Sequence, residues 1–293
     1  MSSPTDNWYL NYLICPDCGA GLVFEHNIKC LNCDFNKSIN KPIDLRPTKP
    51  MLKDLTLDIV ENNSPNNILS NIDIEPPIVT YSGPAALRDS RELMSEIINY
   101  VERDSCVLDL GCGPRDQAIP IQYLEYKYVG IDISNKAADI LADAHAIPFH
   151  NESFDCVFSY AVLEHLYNPF VVINEVQRVL KPGGIYIGTV SQGEPFHNSY
   201  FHHTPWGIVS LVSSTKGMKI IRMWASRSTL KSLAVMGSYP KIIKFILHIV
   251  DKIHISNPYL APRRMQWSKK KKMLDEMYSA GSICFIVQKS ETF

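Results

Sequence analysis

No stretch of the 293 residues reaches the roughly 18 consecutive apolar side chains that a membrane-spanning helix requires. The opening segment, MSSPTDNWYL, lacks a basic run followed by an apolar one, so no secretory signal is expected. There is no convincing internal repeat. Charge of either sign is not in excess either: 29 Lys and Arg stand against 30 Asp and Glu, a formal net charge of −1. With 45% hydrophobic and 20% charged residues the composition is that of an ordinary globular protein, long enough for one large domain and a small one.

What the chain does have begins with eight cysteines. Four form two C-x-x-C pairs, Cys15 with Cys18 and Cys30 with Cys33, separated by eleven residues. Two such knuckles supply the four thiolates of a closed, tetrahedral zinc site. Two disulfides or a redox pair are the alternatives, but a redox motif does not normally come as a spaced duplicate. With no vacant ligand position the zinc is expected to be structural. LVF and IKC should form a short hairpin with HN near its tip, and His26 reads as a turn residue. So small a module has little core, so metal binding should supply much of its stability. The other cysteines, Cys106, Cys112, Cys156 and Cys284, sit singly in apolar runs as buried thiols of a reducing compartment, and a cytoplasmic location is expected.

The zinc ribbon is assigned to residues 1–46 and a linker to residues 47–80, where ENNSPNNILSNIDIEPP offers little to pack. From Gly83 the pattern changes. GPAALRDSRELMSEIINYVE places Leu87, Met94, Ile97, Ile98 and Val101 at helical spacing, with Pro84 in the first turn. Strand-like runs then follow, CVLDLG, YVGIDI, FDCVFSYA, GIYIGTV, KIIRMWA and SICFIVQ, with helical segments interleaved. Such alternation predicts an α/β fold with a mostly parallel sheet and helices on both faces. Ligands of these sheets lie beyond the carboxyl ends of the strands.

At one such end, VLDLGCGPRD brings Gly111 and Gly113 close together after an acid. The third glycine of a dinucleotide turn is missing, for Asp116 stands in its place, and no Gly-Lys-Ser/Thr follows. A ligand therefore approaches the backbone without presenting phosphate there. Asp132, 21 residues after Gly111 at the end of the next strand, suits the two hydroxyls of a ribose. A nucleoside without phosphates points to S-adenosylmethionine.

Residues from about 84 to 226, with the last strand, resemble the class I S-adenosylmethionine-dependent methyltransferases, type 11 in particular. VLDLGCG resembles the first motif of that family and VGIDIS the second. ADAHAIPFHNESFDCVFSYAVLEHL resembles the adenine-binding segment and fourth strand, and VQRVLKPGG the helix end before the fifth strand. Where the family often has a third motif glycine, this chain has Arg115, which implies a tighter or differently shaped turn. The resemblance implies a Rossmann-like sheet of seven strands. Asp109, Gly111, Cys112 and Gly113 would line the methionine moiety and Asp132 the ribose. Asp143 and the Ala144 backbone would meet the adenine, while Ser159 and Tyr160 would lie beneath the methyl donor.

Methyl transfer to an alcohol benefits from a general base, most often His. His165, in the Glu164-His165 pair after the fourth strand, is one candidate, unless the pair caps a helix or lines the cofactor. His202 and His203, at a helix entrance with Thr204 as N-cap and Pro205 as first helical residue, are the others, unless one packs beneath Trp206.

The domain assigned to residues 81–293 carries an insert at about 227–282, where the family usually has a close hairpin. Its KIIKFILHIVDKIH places Ile242, Ile246, Ile249, Val250 and Ile253 on one face. Between Lys241 and Lys272 nine Lys or Arg face one acid, Asp251, a net of +8. Such a run is a solvated face, or it meets an anionic acceptor, an acidic membrane surface or RNA. Expected is a methyltransferase acting on a small or carrier-linked metabolite. RNA base methylation is the rival, and a non-catalytic cofactor-binding partner module is the alternative of another class. The acceptor atom is not written in the sequence.

Overall fold

The computed structural model describes residues 4–49, 71–84, 88–195, 197–256 and 268–291. Most of the expected linker, residues 50–70, and residues 257–267 of the insert lie outside the described residues.

Two sheets form. A small antiparallel one joins β1 (Leu22–Phe24), β2 (Asn27–Cys30) and β3 (Asn36–Ser38), with Phe24 opposite Ile28, so the hairpin turns at Glu25 and His26. The main sheet holds β4 (Ile43–Asp44), β5 (Cys106–Leu110), β6 (Lys127–Asp132), β7 (Ile140–Leu141), β8 (Phe154–Tyr160), β9 (Leu180–Ser191), β10 (Met218–Ser228) and β11 (Ala280–Lys289). Its spatial order is β10-β11-β9-β8-β5-β6-β7-β4. Among the described strands only β11 breaks the parallel run, pairing antiparallel with both β9 and β10.

The sheet therefore has eight strands among the described residues, not seven. The additional one is β4, from the end of the segment assigned to the zinc ribbon, which pairs parallel to β7 through Ile43–Ile140 and Asp44–Leu141. Two-residue strands carry no periodicity, so neither β4 nor β7 shows in the sequence pattern. The N-terminal module is thus joined to the sheet edge and not merely placed before it.

Along β5 the side chains alternate between faces. Cys106, Leu108 and Leu110 enter one core with helices α3 (Pro169–Val179) and α4 (Pro205–Ser213), through Val172, Val176, Ile208 and Val212. Val107 enters the other with α1 (Arg88–Tyr100) and α2 (Ala118–Tyr123), through Met94, Ile97 and Ile121. Helices thus cover both faces. The N-terminal module shares the first core, contributing Tyr9, Leu13, Ile28, Phe35 and Leu45. Ile98, expected on the inner face of α1, is exposed, and Pro84 precedes the helix. The inner face carries acids instead: buried Glu92 accepts from the Trp224 indole at 3.0 Å and buried Glu96 from Arg222 at 2.8 Å, locking α1 to β10.

Between β10 and β11 come α5 (Thr229–Met236), α6 (Lys241–Ser256) and α7 (Lys269–Tyr278). Arg227 and Ser282, the expected ends of the insert, pair with each other across the two strands.

Candidate functional site

After β5 the chain turns to one side and β6 pairs there, whereas β8 pairs on the other side of β5. This reversal of strand order opens a crevice at the carboxyl ends of β5, β6 and β8. The glycine turn lies on its rim. Gly111 has φ +70°, and a Cβ there would come within 2.6 Å of the Val162 side chain. Gly113 has φ +51°, and no atom lies within 4 Å of where its Cβ would be. The first glycine is thus demanded by packing, and the second borders open space that a ligand could fill. Gly111 and Cys112 both donate to the Ile131 carbonyl, at 2.9 and 3.0 Å, pinning the turn to the end of β6.

Arg115 adopts the left-handed backbone region that favours glycine, at φ +65°. Its side chain explains how. The guanidinium pairs with Asp139 at 2.5 Å and lies 5.0 Å from the centre of the Tyr128 ring. Asp139 in turn accepts from the Gly130 amide at 2.8 Å.

Asp132 ends β6 within the same crevice. One carboxylate oxygen accepts from the Gly113 amide at 3.1 Å, and the other from the amides of Ser134 and Asn135 at 2.9 and 2.8 Å. A carboxylate offers about four lone-pair directions, so the oxygen facing Gly113 retains one for a ligand hydroxyl. Asp143 caps a single turn, Ala144–Ala146, accepting from the His145 amide at 2.9 Å and its ring Nδ1 at 2.7 Å. His145 Nε2 accepts from the Asn168 amide, so Nδ1 carries the proton. The ring stacks on Tyr167 at 3.9 Å.

Other expected residues are more deeply placed. Asp109 is buried beneath the turn, where the Tyr128 hydroxyl donates to it at 2.8 Å, and burial pushes its carboxyl up to about 7. It supports the turn from beneath. Cys112 is likewise buried, and burial raises its thiol. Ser159 is fully buried with its hydroxyl 2.9 Å from that of Tyr186, because its position on β8 faces the core. Tyr160, next along, is half-buried at the strand end.

The three candidate bases share one neighbourhood beyond β8 and β9. His165 and His202 are exposed, and His203 is buried with no hydrogen-bond partner for Nε2 among the described residues. Burial lowers the His203 pKa, which keeps it neutral. Glu164 does not cap a helix: its carboxylate accepts from the Ser191 amide and hydroxyl at 3.1 and 2.7 Å. His197, which the sequence pattern did not single out, joins this group, its ring 5.2 Å from that of His165.

At the N-terminus the four cysteine sulfurs lie within 4.8 Å of one another, Cys15–Cys33 at 3.6 Å and Cys18–Cys30 at 3.4 Å. All four thiols are free. A disulfide would need about 2.05 Å. Sulfurs at about 2.3 Å from a tetrahedral zinc stand about 3.8 Å apart, so the spacing fits the metal.

Residues 108–188 match the family model of a methyltransferase domain. Over 123 residues the chain is 27% identical to an uncharacterized methyltransferase of Schizosaccharomyces pombe, covering 34% of this chain and 44% of that one. It is 29% identical over 119 residues to a sterol 4-C-methyltransferase of Caenorhabditis elegans, covering 35% of each. Among solved structures, a phosphoethanolamine N-methyltransferase of Haemonchus contortus is similar with a TM-score of 0.45, at 15% identity over 80% of this chain and 59% of that one. The chain spans less than half the length of these curated relatives. The stretch that matches the methyltransferase-domain model carries the glycine turn, Asp132 and Glu164.

The two glycines should separate in mutagenesis. Gly111→Ala places a side chain in the left-handed region and against Val162, a cost of about 1–3 kcal/mol, so its melting temperature should fall. Gly113→Ala incurs backbone strain alone but intrudes on the open space, so its larger effect should be on cofactor affinity. Thermal melts and calorimetry on the pair decide this. Equal affinity for S-adenosylmethionine in Gly113→Ala and wild type would remove the turn from the site.

Proposed function

We propose that the chain is a cytoplasmic S-adenosylmethionine-dependent methyltransferase acting on a small or carrier-linked acceptor. The observation that carries this reading is the crevice where Gly113 borders open space and its amide is held by Asp132. Gly111 to Gly113 would pass beside the methionine part, Asp132 would accept from the ribose hydroxyls, and Asp143 with the Ala144 amide would meet the adenine. The bound cofactor supplies a sulfonium methyl, which leaves with the carbon–sulfur bonding pair passing to sulfur. The chain's own part is alignment and exclusion of water. Attack uses an acceptor lone pair, and the acceptor's proton passes to a base, for which His165, His202 and His203 are positioned after β8 and β9. Cys15, Cys18, Cys30 and Cys33 would hold a structural zinc. Calorimetric binding of S-adenosylmethionine tests the reading, and a partner module without catalysis would bind without turnover.

The insert favours an acceptor at an acidic lipid surface over RNA. On α6 no described residue covers the expected apolar face: Ile242 is 68% and Phe245 64% exposed, and Ile246, Ile249 and Val250 are exposed as well. Exposed apolar side chains with lysines beside them suit a peripheral membrane contact. RNA would use basic side chains interleaved with aromatics. Among the described residues no helix is long and apolar enough to cross a membrane. Lys269 to Lys272 occupy the first turn of α7, the end where the helix dipole disfavours cations.

Replacing Lys269, Lys270, Lys271 and Lys272 with Gln should therefore leave the fold and the cofactor affinity intact. It should weaken binding to vesicles of anionic lipid and raise the acceptor's KM. Co-sedimentation at graded anionic lipid content measures the first. Unaltered vesicle binding and turnover would reduce the cluster to a solvated face, whereas binding to RNA that falls steeply with salt would favour the rival reading.

A further inference from the structure

Beyond β8 and β9, on the same edge of the sheet as the glycine turn, buried acid meets a ring of histidines. A carboxylate oxygen of Glu164 and one ring nitrogen each of His165 and His197 lie within 4.8 Å of one another. Glu164 is fully buried, and while its Oε1 lies within hydrogen-bond distance of the Ser191 amide and hydroxyl, its Oε2 has no partner among the described residues. A buried carboxylate oxygen without a partner costs stability unless something positive meets it.

The charge balance points the same way. The Ser191 hydroxyl lies 2.7 Å from Glu164 and 2.6 Å from Glu194, yet it has one proton and can donate to only one of them. Two carboxylates thus converge on a single donor. The Glu194 side chain is 8% exposed and its ion pair with Arg227 is long, at 3.7 Å.

The histidines are oriented to supply neutral donors. Nδ1 of His165 lies 3.3 Å from the Asn198 carbonyl, that of His197 2.8 Å from the Pro195 carbonyl, and that of His202 3.1 Å from the Gln192 carbonyl. A carbonyl can only accept, so each Nδ1 carries the proton and each Nε2 presents its lone pair. A backbone carbonyl on the far nitrogen is the arrangement that fixes metal-binding imidazoles.

We propose that Glu164, His165 and His197 form a second metal site, distinct from the four cysteines, for a divalent first-row transition ion. His202, whose ring lies 6.0 Å from that of His197, stands next to it. Ligands at about 2.0–2.2 Å from such an ion are about 3.0–3.6 Å apart, so the three groups must draw together by about an ångström to close on it. Two nitrogens and one carboxylate leave positions open, as catalytic sites do and structural ones do not. Resting on the methyl-transfer reading, those positions would take an oxygen of the acceptor.

The test is cobalt loading of the purified full chain, with absorption spectra and cofactor calorimetry on each sample. Wild type should bind about two equivalents, one with intense sulfur-to-cobalt bands and one with the weaker bands of nitrogen and oxygen donors. His165→Ala, at an exposed position, and His197→Ala, at a half-buried one, should each drop to about one equivalent and keep the sulfur bands. A wild-type protein that binds cobalt at the cysteines only would overturn the proposal. So would a second equivalent that persists in both variants. If S-adenosylmethionine binds while the second ion does not, the metal site falls and the methyl-transfer reading stands. If the ion binds and the cofactor does not, the reverse holds.

Discussion

Asp132→Ala weakens S-adenosylmethionine binding by about tenfold to a hundredfold, since a ribose hydroxyl donating to the remaining carboxylate lone pair contributes roughly 1.5–3 kcal/mol. The structure adds a second contribution. The same carboxylate holds the amides of Gly113, Ser134 and Asn135, so its removal also loosens the glycine turn. Asp132→Asn separates the two: it keeps an acceptor oxygen for backbone amides but loses the charge. Its affinity should fall between wild type and the alanine variant, with a melting temperature near wild type. Calorimetry on the three proteins reads this directly. An alanine variant with unchanged dissociation constant would remove Asp132 from the cofactor site and, with it, the functional reading of β6.

The second large effect is on stability. Replacing Cys15 and Cys18 by Ser should abolish the thiolate-bound zinc and lower the melting temperature by roughly 10 °C or more, a fraction of the large apparent binding energy of structural zinc. The loss should spread beyond the module. Tyr9, Leu13, Ile28, Phe35 and Leu45 share a core with Phe149 and Phe154, and β4 closes the sheet edge against β7. Releasing the knuckles therefore unpins an edge strand and part of the main core. Hydrogen exchange should show increased opening at Ile140 and Leu141 in the variant. Metal analysis that finds no thiolate-bound zinc in a stable wild-type protein would contradict the assignment.

Much of this architecture is legible before any coordinates, for local reasons. β5, β6, β8 and β9 are long apolar runs buried on both faces, so their strand character is written in each segment. The glycine turn is legible because Gly111 meets a backbone requirement that few other residues can. Arg115 shows where such reasoning stops: an arginine can hold a left-handed conformation if Asp139 and Tyr128 hold its side chain, and those partners come from β6 and the segment after it. Ser159 shows a second limit. Its place at a strand end suggests the crevice, but which face it occupies depends on the strand's register against Gly188. The apolar stripe of α6 was visible as a period, but a period does not say what covers it. His197 is silent in sequence because tertiary folding alone brings it to Glu164 and His165.

The central claim is methyl transfer, and its most direct measurement uses S-adenosylmethionine labelled in the methyl group. Wild type and Asp132→Ala are incubated with fractionated cell extract, and the label is sorted into RNA, protein, lipid and small molecules. The expected result is label in a lipid or small-molecule fraction with wild type and at least tenfold less with the variant, in line with the lost ribose contacts. Label in RNA would keep the chemistry and replace the acceptor. No label in any fraction, from a protein that is folded and zinc-loaded, would contradict methyl transfer itself.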